Sequence, residues 1–389
     1  MKIVYSAPNR AHHYRYALAL HNAGVLHTFV SGFPRLSPRA RIDELKHQLH
    51  RADLLQTAYI ASLKFGAPAA VSDYLNYWSK IEQDYASRRY IDDADVFVFY
   101  NGSGLHSCQH ARRKGVITVV EAVNSHVDYQ EQLLEEEYRR LKLPWTPFLK
   151  KEKQRRIEEY NQADYILTPS EFARSSFIDF GFPEHKILKV PYGFDQRHFN
   201  VAGSQSKAFT VLYVGSISVR KGVRYLIQAF EKLRHPQKRL VLVGPQTDPD
   251  GLKGLSIPDN VMFMGSLKGE QLAQAYRTAD VFCLPSLEDG FGLVLGEALS
   301  FGLPIITTTN TGGSDIFTND REGFIVPIRD ADSIYQKLQL LADDEDLRQT
   351  MQQAARDKAQ HIEGWQATGQ LLTSTLANLT VKSLSHSVL

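Results

Sequence analysis

The sequence predicts an α/β fold made of two Rossmann-like, doubly wound domains. Three observations support this prediction. The chain has 389 residues, which is long for a single core. Short apolar, β-branched and aromatic runs recur along it, and several of the segments between them have helical period. Strands that are apolar throughout and alternate with helices are typical of parallel sheets covered on both faces.

The predicted strands fall into two series. The first lies at residues 3–6, 25–30, 96–99, 116–120, 165–168 and 187–190, and the second at 211–214, 240–243, 261–264, 281–284 and 304–307. The clearest helix follows residue 222, where Val223, Leu226, Ile227 and Phe230 keep the i, i+3, i+4, i+7 spacing of one buried face. Residues 35–90 are predicted to be mostly helical.

A segment rich in Gly, Ser and Gln, residues 197–208, separates the two series and is typical of a linker. We therefore predict an N-terminal domain over residues 1–203 and a C-terminal domain over 204–363. A helical tail over 364–389 is expected to pack back on the N-terminal domain.

Composition excludes several classes of protein. The 45 Lys and Arg nearly balance the 43 Asp and Glu, so no nucleic-acid partner is predicted. Cys108 and Cys283 are too far apart in sequence for a zinc pattern or a disulfide framework, and Cys283 is expected to be buried. No apolar run reaches the ~18–20 residues of a membrane span, and the apolar start is too short for a signal peptide. A cytoplasmic location is therefore expected.

The segment after the predicted strand 281–284 is the most informative one. It turns through Gly290-Phe291-Gly292 into an apolar helix. Glycines at such a turn let a ligand approach the backbone, and the start of a helix favours a phosphate. Glu297 lies about 7–8 Å further along the helix axis, where ribose hydroxyls would be natural donors to it. A structural salt bridge or helix cap is the alternative.

A second strand-to-helix turn carries two adjacent cations, Arg220 and Lys221, followed by Gly222. Such a pair could neutralise a diphosphate, although alone it is more typical of a solvated helix start. Two such turns at the carboxyl ends of strands in one lobe favour ligand binding.

Several short motifs occur in a fixed order along the chain. In the second half they are Val214-Gly215, Lys221-Gly222, Leu242-Val243-Gly244, Ala279-Asp280-Val281-Phe282, Pro285-Ser286, Gly290-Phe291-Gly292, Glu297-Ala298, Gly302-Leu303-Pro304-Ile305 and Thr311-Gly312-Gly313. Ala163-Asp164-Tyr165, Pro169-Ser170 and Pro191-Tyr192-Gly193-Phe194-Asp195 precede them. This series resembles the family 4 glycosyltransferases (glycosyl transferases group 1), whose GT-B fold has two Rossmann-like domains facing a central cleft.

The resemblance implies roles for individual residues. Asp289, where the family has Glu, would bind hydroxyls of the transferred sugar, with Glu288 as an alternative, and Glu297 would bind the ribose. Ser216 stands where family members often have Arg, so Arg220 would supply that charge beside Lys221. The predicted donor-binding residues are Ser216, Gly265, Gly290, Phe291, Gly292, Leu293 and Glu297.

The resemblance also implies an active-site histidine, His126, in the loop 121–126 beside the transferred sugar. With Arg220, Lys221 and Asp289, it completes the predicted catalytic set. His12 and His13 follow the first strand, where the family often has a glycine-rich loop, and are candidate contacts of donor or acceptor.

The activity implied is retaining transfer of a hexose-type sugar from a nucleotide sugar to a hydroxyl of a glycan or lipid-linked acceptor. UDP is the favoured nucleotide, GDP-mannose is its rival, and no metal or other cofactor is expected. A GT-B sugar-nucleotide epimerase and a catalytically silent nucleotide-sugar-binding protein are the alternatives. A nicotinamide-dependent dehydrogenase would need G-x-G-x-x-G after the first strand, which residues 6–10 lack.

A basic stretch with aromatic residues, 138–156, bears on the choice of acceptor. It carries Arg139, Arg140, Lys142, Lys150, Lys151, Lys153, Arg155 and Arg156 around Trp145 and Phe148. Such a stretch could contact the inner face of an anionic membrane. Interleaved Glu residues favour the alternative, a solvated helix face.

Overall fold

A computed structural model of the protein describes residues 1–194, 208–362 and 364–386. The chain forms two lobes, each built on a parallel β-sheet with helices packed on it. The predicted domain boundary near residue 203, most of the predicted linker and Asp195 lie outside these described residues.

The N-terminal lobe has a seven-stranded sheet of order β3-β2-β1-β4-β5-β6-β7. Its strands are β1 (Ile3–Ala7), β2 (Leu26–Ser31), β3 (Leu49–Arg51), β4 (Val96–Tyr100), β5 (Ile117–Glu121), β6 (Tyr165–Thr168) and β7 (Ile187–Lys189). Its helices are α1 (His13–Asn22), α2 (Leu54–Lys64), α3 (Ala69–Ser87), α4 (Leu105–Arg113), α5 (Val127–Arg140), α6 (Lys150–Gln162) and α7 (Glu171–Asp179).

The C-terminal lobe has a six-stranded sheet of order β10-β9-β8-β11-β12-β13. Its strands are β8 (Phe209–Val214), β9 (Lys238–Val243), β10 (Val261–Gly265), β11 (Val281–Leu284), β12 (Ile305–Thr308) and β13 (Gly323–Val326). The helices that follow β8 are α8 (Val223–Lys232), α9 (Glu270–Arg277), α10 (Leu293–Ser300), α11 (Gly313–Ile316), α12 (Ala331–Asp343), α13 (Glu345–His361) and α14 (Gly364–His386).

Both sheets are doubly wound, because the strand order reverses beside the first strand of each lobe. Their central strands are apolar on both faces; every residue of β11 is buried, including Cys283. The carboxyl ends next to such a reversal are where open α/β sheets bind ligands. The predicted fold of two Rossmann-like domains is confirmed.

The last helix, α14, lies on the N-terminal lobe. Its Thr368 hydroxyl donates to the carbonyl oxygen of Pro191 at 3.1 Å. A Cβ atom at Gly369 would lie 2.4 Å from the Cβ atom of Ala19, so the glycine lets α14 approach α1 closely. No helix within the described ranges is long and apolar enough to cross a membrane.

Half of the cations in the basic stretch 138–156 are paired within the N-terminal lobe. The pairs are Arg139–Glu135, Lys153–Asp128, Lys153–Glu131, Arg155–Asp84, Arg155–Glu159 and Arg156–Glu152. The ring of Trp145 packs against the rings of Tyr138 and Phe148. These four cations are thus used within the lobe, Arg155 in a buried pair, and contact of the stretch with a membrane stays a prediction.

Candidate functional site

The loops after β8 and β11 form one continuous surface at the carboxyl edge of the C-terminal sheet. The backbone N–H of Leu287 donates to the carbonyl oxygen of Arg220 at 2.9 Å. Gly222 begins α8 with φ of 65°, and a Cβ atom there would lie 2.0 Å from the carbonyl oxygen of Pro285. Only glycine accommodates both conditions, so the motif Lys221-Gly222 fixes the cation loop against the other loop.

The two predicted cations are held by two adjacent carboxylates. Arg220 Nη1 donates to Glu288 Oε2 at 3.0 Å, and Lys221 Nζ pairs with Asp289 Oδ2. Burial alone would raise the pKa of Asp289, but Lys221 and Arg220 more than offset it and hold the pKa below its ordinary value. The loops thus bring Arg220, Lys221 and Asp289 together as charged groups.

Asp289 also caps the helix that follows it. Its Oδ1 accepts from the N–H of Gly292 at 3.1 Å, and Gly292 begins α10 with φ of 79°. The sequence predicts a phosphate at this helix start, but a carboxylate of the chain itself occupies one of its donors. A bound phosphate would have to share or displace that carboxylate.

Glu288 joins the two lobes and is fully buried. Besides Arg220, its carboxylate accepts from the Ser125 N–H at 3.1 Å, the Ser125 hydroxyl at 2.9 Å and Gln130 Nε2 at 2.7 Å. Ser125 and Gln130 belong to the opposite lobe. The alternative role of Glu288 in binding the transferred sugar therefore does not fit this geometry, because its oxygens are already used between the lobes.

Gly290 and Phe291 also serve the contact between the lobes. A Cβ atom at Gly290 would lie 1.9 Å from the carbonyl oxygen of Val123, and the Ser170 hydroxyl donates to the carbonyl oxygen of Gly290 at 2.5 Å. The Phe291 ring is buried 5.3 Å from the ring of Tyr192. The glycine turn is predicted to let a ligand approach the backbone; at Gly290, the structure shows the opposite lobe making this close approach.

Glu297 lines a cavity of about 710 Å³ between the lobes. Leu293 from α10 and Tyr276 from α9 share its C-terminal wall, and His12 and Trp365 line the other side. The Tyr276 hydroxyl donates to Glu297 Oε2 at 2.9 Å, which orients the carboxylate. A cavity of this volume is typical of small-molecule sites. Glu297 lines it, and its ribose contact stays a prediction.

A second cavity of about 440 Å³ adjoins the charge pairs. It is lined from the C-terminal lobe by Arg220 and from the N-terminal lobe by Asn124, Gln130, Lys153 and Arg156, among others. Arg220 thus reaches open space on one side while it pairs with Glu288 on the other.

Ser216 follows β8, and Gly265 is the last residue of β10, which is separated from β8 by β9. The Ser216 carbonyl oxygen accepts from the Tyr213 hydroxyl at 2.7 Å, and that of Gly265 accepts from the Gly244 N–H at 2.8 Å. Neither residue lines either of these two cavities. Their predicted donor contacts stay predictions.

The side chain of His126 is buried within the N-terminal lobe. Its ring stacks on Phe180 at 4.5 Å and lies near Tyr160, Phe177 and Phe182. Its Nδ1 accepts from the Asp128 N–H at 3.3 Å and so caps α5. The loop 121–126 does reach the cleft, but Asn124 lines it there. The expectation that His126 faces the transferred sugar is not met, because the ring is buried and used as a cap.

A buried network that sequence reasoning did not foresee links the first strand to β5. Glu121 Oε1 lies 2.5 Å from His12 Nε2, and Oε2 lies 2.8 Å from the Tyr5 hydroxyl and 3.3 Å from His13 Nδ1. Burial, helped by the neighbouring His13, lowers the pKa of His12 to about 4. Among the described residues, His12, His13 and Glu121 are the group whose atoms lie close enough together to hold a metal ion. The sequence signal that could have indicated this network is the pair His12-His13 after β1 together with Glu121 at the end of β5.

Solved structures establish the class of fold. Sucrose-phosphate synthase from Thermosynechococcus elongatus aligns with 98% of this chain and all of its own at a TM-score of 0.73 and 19% identity. Anabaena Alr3699/HepE in complex with UDP-glucose aligns with 97% of this chain and all of its own at a TM-score of 0.66 and 15% identity. With two doubly wound lobes around a cleft, the protein has the GT-B fold.

Sequence similarity to known proteins covers part of the chain. Residues 194–358, which lie mostly in the C-terminal lobe, match the family described as Glycosyl transferases group 1. The sulfoquinovosyl transferase SQD2 of Arabidopsis thaliana is 30% identical over 223 residues, which are 54% of this chain and 43% of that protein. The chain thus spans less than half the length of this relative. The resemblance that the motifs indicate is confirmed over residues 194–358.

The burial of His126 leads to a prediction about acid stability. Burial lowers the pKa of His126 to about 4. As the pH falls below 6.5, the imidazole is therefore protonated in the unfolded chain before it is protonated in the folded chain. The contribution of the neutral His126 to the free energy of unfolding is fully present above pH 6.5 and is lost as the pH falls from 6.5 to 4. His126→Asn keeps a capping oxygen and removes the titration.

The free energy of unfolding, measured with urea, is expected to fall between pH 6.5 and pH 4 in both proteins. We expect the fall to be smaller in His126→Asn than in the parent, by up to about 3 kcal/mol. His47→Asn, at an exposed histidine, is the matched control for the substitution itself. Parallel profiles for His126→Asn and the parent would contradict the buried, neutral state.

Proposed function

We propose that this protein is a glycosyltransferase that moves a hexose-type sugar from a nucleotide sugar to a hydroxyl of a glycan or lipid-linked acceptor. The observation that carries the proposal is the meeting of Arg220, Lys221 and the start of α10 at one carboxyl edge, with Glu297 further along the same helix. Cations and backbone donors at one point suit a diphosphate leaving group.

In this proposal the nucleoside lies along the C-terminal wall of the larger cavity. Glu297, held by the Tyr276 hydroxyl, accepts hydrogen bonds from the ribose. The diphosphate then reaches Arg220 and Lys221, which stabilise the charge that develops as the glycosidic bond to phosphate breaks. UDP is the favoured nucleotide; a neighbour in fold, Anabaena Alr3699/HepE, was solved with UDP-glucose.

Binding of the diphosphate would compete with Glu288 and Asp289 for the two cations. Since Glu288 also bonds Ser125 and Gln130 of the other lobe, this competition links donor binding to the contact between the lobes. The transferred sugar would then lie between Asp289 and the loop that carries Asn124. Closure around it would exclude water, which otherwise hydrolyses the activated sugar.

Retention at the anomeric carbon and independence of divalent metal complete the proposal. Arg220 and Lys221 supply positive charge where other transferases use a metal ion. The test is to incubate the protein with common nucleotide sugars and an acceptor panel, with and without EDTA, and follow nucleotide release and product linkage by NMR. Retained configuration and full activity in EDTA are expected.

The alternatives give different results in the same assay. An epimerase would produce an isomeric sugar without an acceptor, and a silent binding protein would bind a nucleotide sugar without releasing nucleotide. An inverted anomeric centre would contradict the retaining mechanism.

His126→Asn should keep turnover within about threefold of the parent, since its ring is buried and lines neither of the two cavities.

A lipid-linked acceptor is the finer part of the proposal. The aromatic and basic stretch 138–156 supplies the surface that would meet a membrane. Co-sedimentation with anionic liposomes at low salt tests it, and the absence of binding at low salt would remove it.

A further inference from the structure

Helices α2 and α3 form a hairpin on the N-terminal lobe, the α2–α3 hairpin (residues 54–87), whose tip is the turn around Phe65. Phe65 is 81% exposed and Leu63 is 57% exposed. The large apolar side chains that this hairpin exposes are Leu54, Ile60, Leu63, Phe65, Val71, Tyr74, Trp78 and Tyr85. Single exposed apolar residues are normal, but a group of them on one element marks an interaction site.

The buried side of the hairpin is polar. The buried residues of α3 are all polar or charged, and they are Ser72, Ser79, Lys80, Gln83, Asp84 and Ser87. Gln56 is the only buried residue along the whole of α2, Leu54–Lys64. Between the helices, the Ser62 and Ser72 hydroxyls lie 2.9 Å apart, and the Ser79 hydroxyl donates to Gln56 Oε1 at 2.8 Å.

This order is the reverse of that in water-soluble helices, which turn their apolar face inward. Small and polar residues between the helices, with apolar residues outside, are typical of helix pairs that meet in lipid. The α2–α3 hairpin therefore has the side-chain arrangement of a lipid-facing element, although neither helix is long and apolar enough to cross a membrane.

The charges and aromatic residues of the hairpin suit a lipid surface. Residues 54–72 contain one charged side chain, Lys64, and no acidic one, so an anionic bilayer would not repel the tip. Tyr74 and Trp78 follow Val71 by about 4–5 Å and about 10 Å along α3, at about 1.5 Å per residue. Tyrosine and tryptophan concentrate at the level of the lipid headgroups, and interfacial helices insert by about 5–10 Å. An apolar tip followed by aromatic residues therefore matches shallow insertion.

A protein partner suits this tip less well. The exposed apolar tip spans residues 63–71, whereas a stable interface between two proteins takes about 20–30 residues a side. A bilayer needs no such area, because each inserted side chain contributes its own apolar burial.

The hairpin also borders the second cavity. Asp73, two residues beyond Val71, lines that cavity together with Arg220 and Lys153. Lys80 of α3 pairs with Glu152, which lines the same cavity. A bilayer that receives the tip would therefore lie next to this cavity.

We propose that the α2–α3 hairpin inserts its apolar tip into the headgroup region of a lipid bilayer and so holds the second cavity at the membrane surface, where a lipid-borne acceptor enters it. This inference deepens the proposed function and rests on it for the lipid-linked acceptor. It assigns insertion to the hairpin rather than to the basic stretch 138–156. Burial of apolar side chains persists at high salt, whereas attraction between exposed charges is screened.

The experiment is co-sedimentation of the full chain with vesicles of phosphatidylcholine and phosphatidylglycerol in equal parts, at low and at high salt. The test variant is Leu63→Ser with Phe65→Ser. Its matched control, Leu371→Ser with Phe263→Ser, removes the same two side chains from exposed sites on α14 and β10. Since all four sites are exposed, urea unfolding of both variants should resemble that of the parent.

We expect the test variant to lower the ratio of vesicle-bound to free protein at least about tenfold at both salt concentrations, because each lost side chain removes apolar burial in the bilayer. The control should stay within about twofold of the parent. Equal binding by the test variant and the parent would overturn the inference, as would no binding by the parent.

Two further outcomes identify a different contact. Lys150→Gln with Lys151→Gln changes exposed sites in 138–156; binding lost in this variant but kept in the hairpin variant assigns the contact to 138–156 and overturns the inference. A dimer in light scattering that the test variant dissociates, without vesicle binding by the parent, assigns the tip to a second copy of the chain and also overturns it.

Turnover of a water-soluble acceptor tests the proposed function separately. Turnover equal in the parent and the hairpin variant, with vesicle binding lost in the variant, supports the inference. Vesicle binding that depends on the hairpin, without turnover of any nucleotide sugar by the parent, contradicts the proposed function and leaves the membrane contact standing.

Discussion

Lys221→Gln is expected to lower the turnover of nucleotide sugar by about 100- to 1000-fold, the usual cost of removing one charge-stabilising group from a reacting centre. The Nζ atom of Lys221 is paired with Asp289 beside the start of α10. In the proposed reaction, negative charge grows at this point as the diphosphate leaves. Glutamine can still donate to Asp289 but brings no charge.

The measurement is steady-state kinetics with saturating acceptor, so that the effects on kcat and KM can be separated. A cation that acts mainly in the transition state should lower kcat, whereas one that only binds the donor should raise KM. The matched control is Lys232→Gln at the other end of α8, where the lysine is half exposed and pairs with an exposed Asp332. This control should stay within about twofold of the parent, since exposed ion pairs contribute little.

A second variant separates catalysis from folding. Lys221→Gln leaves the partly buried Asp289 without its ion-pair partner, which itself destabilises the loop. The double variant Lys221→Gln, Asp289→Asn removes both charges, so it should recover part of the lost stability without recovering turnover. If turnover returns with stability, or if Lys221→Gln alone stays within threefold of the parent while folded, Lys221 has no part in the chemistry.

The sequence predicted the central strands of both sheets within one or two residues, because fully buried parallel strands are apolar on both faces. It missed β3 and β13. Both are edge strands, and they are short: β3 is Leu-His-Arg, and β13 begins with a glycine. Their pairing depends on a neighbouring strand rather than on a pattern of their own.

The candidate site was predicted less completely than the fold. The motifs indicated Arg220, Lys221, Asp289 and Glu297 as candidates, and their roles stay predictions. Spacing alone did not show that Asp289 and Glu288 neutralise the two cations. His126 was placed in the correct loop, whereas its burial among Tyr160, Phe177 and Phe180 depends on a distant helix, α7, and the turn after it. Contacts between segments far apart in the chain decide these details, and a local sequence pattern does not predict such contacts.

Gly222→Ala is expected to lower the free energy of unfolding by about 2 to 5 kcal/mol. A left-handed backbone costs a non-glycine residue about 1 to 2 kcal/mol, and overpacking about 1 to 3 more. The first part follows from the φ of 65° at Gly222. The second follows from the carbonyl oxygen of Pro285, 2.0 Å from where the new Cβ would lie.

Urea unfolding of Gly222→Ala and Gly254→Ala tests the two parts separately. Gly254 has φ of 73° but no heavy atom within 4 Å of a Cβ position, so its variant reports the backbone strain alone. Equal losses in the two variants would contradict the packing argument. A larger loss at Gly222 would show that the cation loop is held against residues 285–287 by contact. Because Leu287 and Arg220 share a backbone hydrogen bond, displacing that contact moves Arg220 away from Glu288, so Gly222→Ala should also lower turnover in the fraction that stays folded.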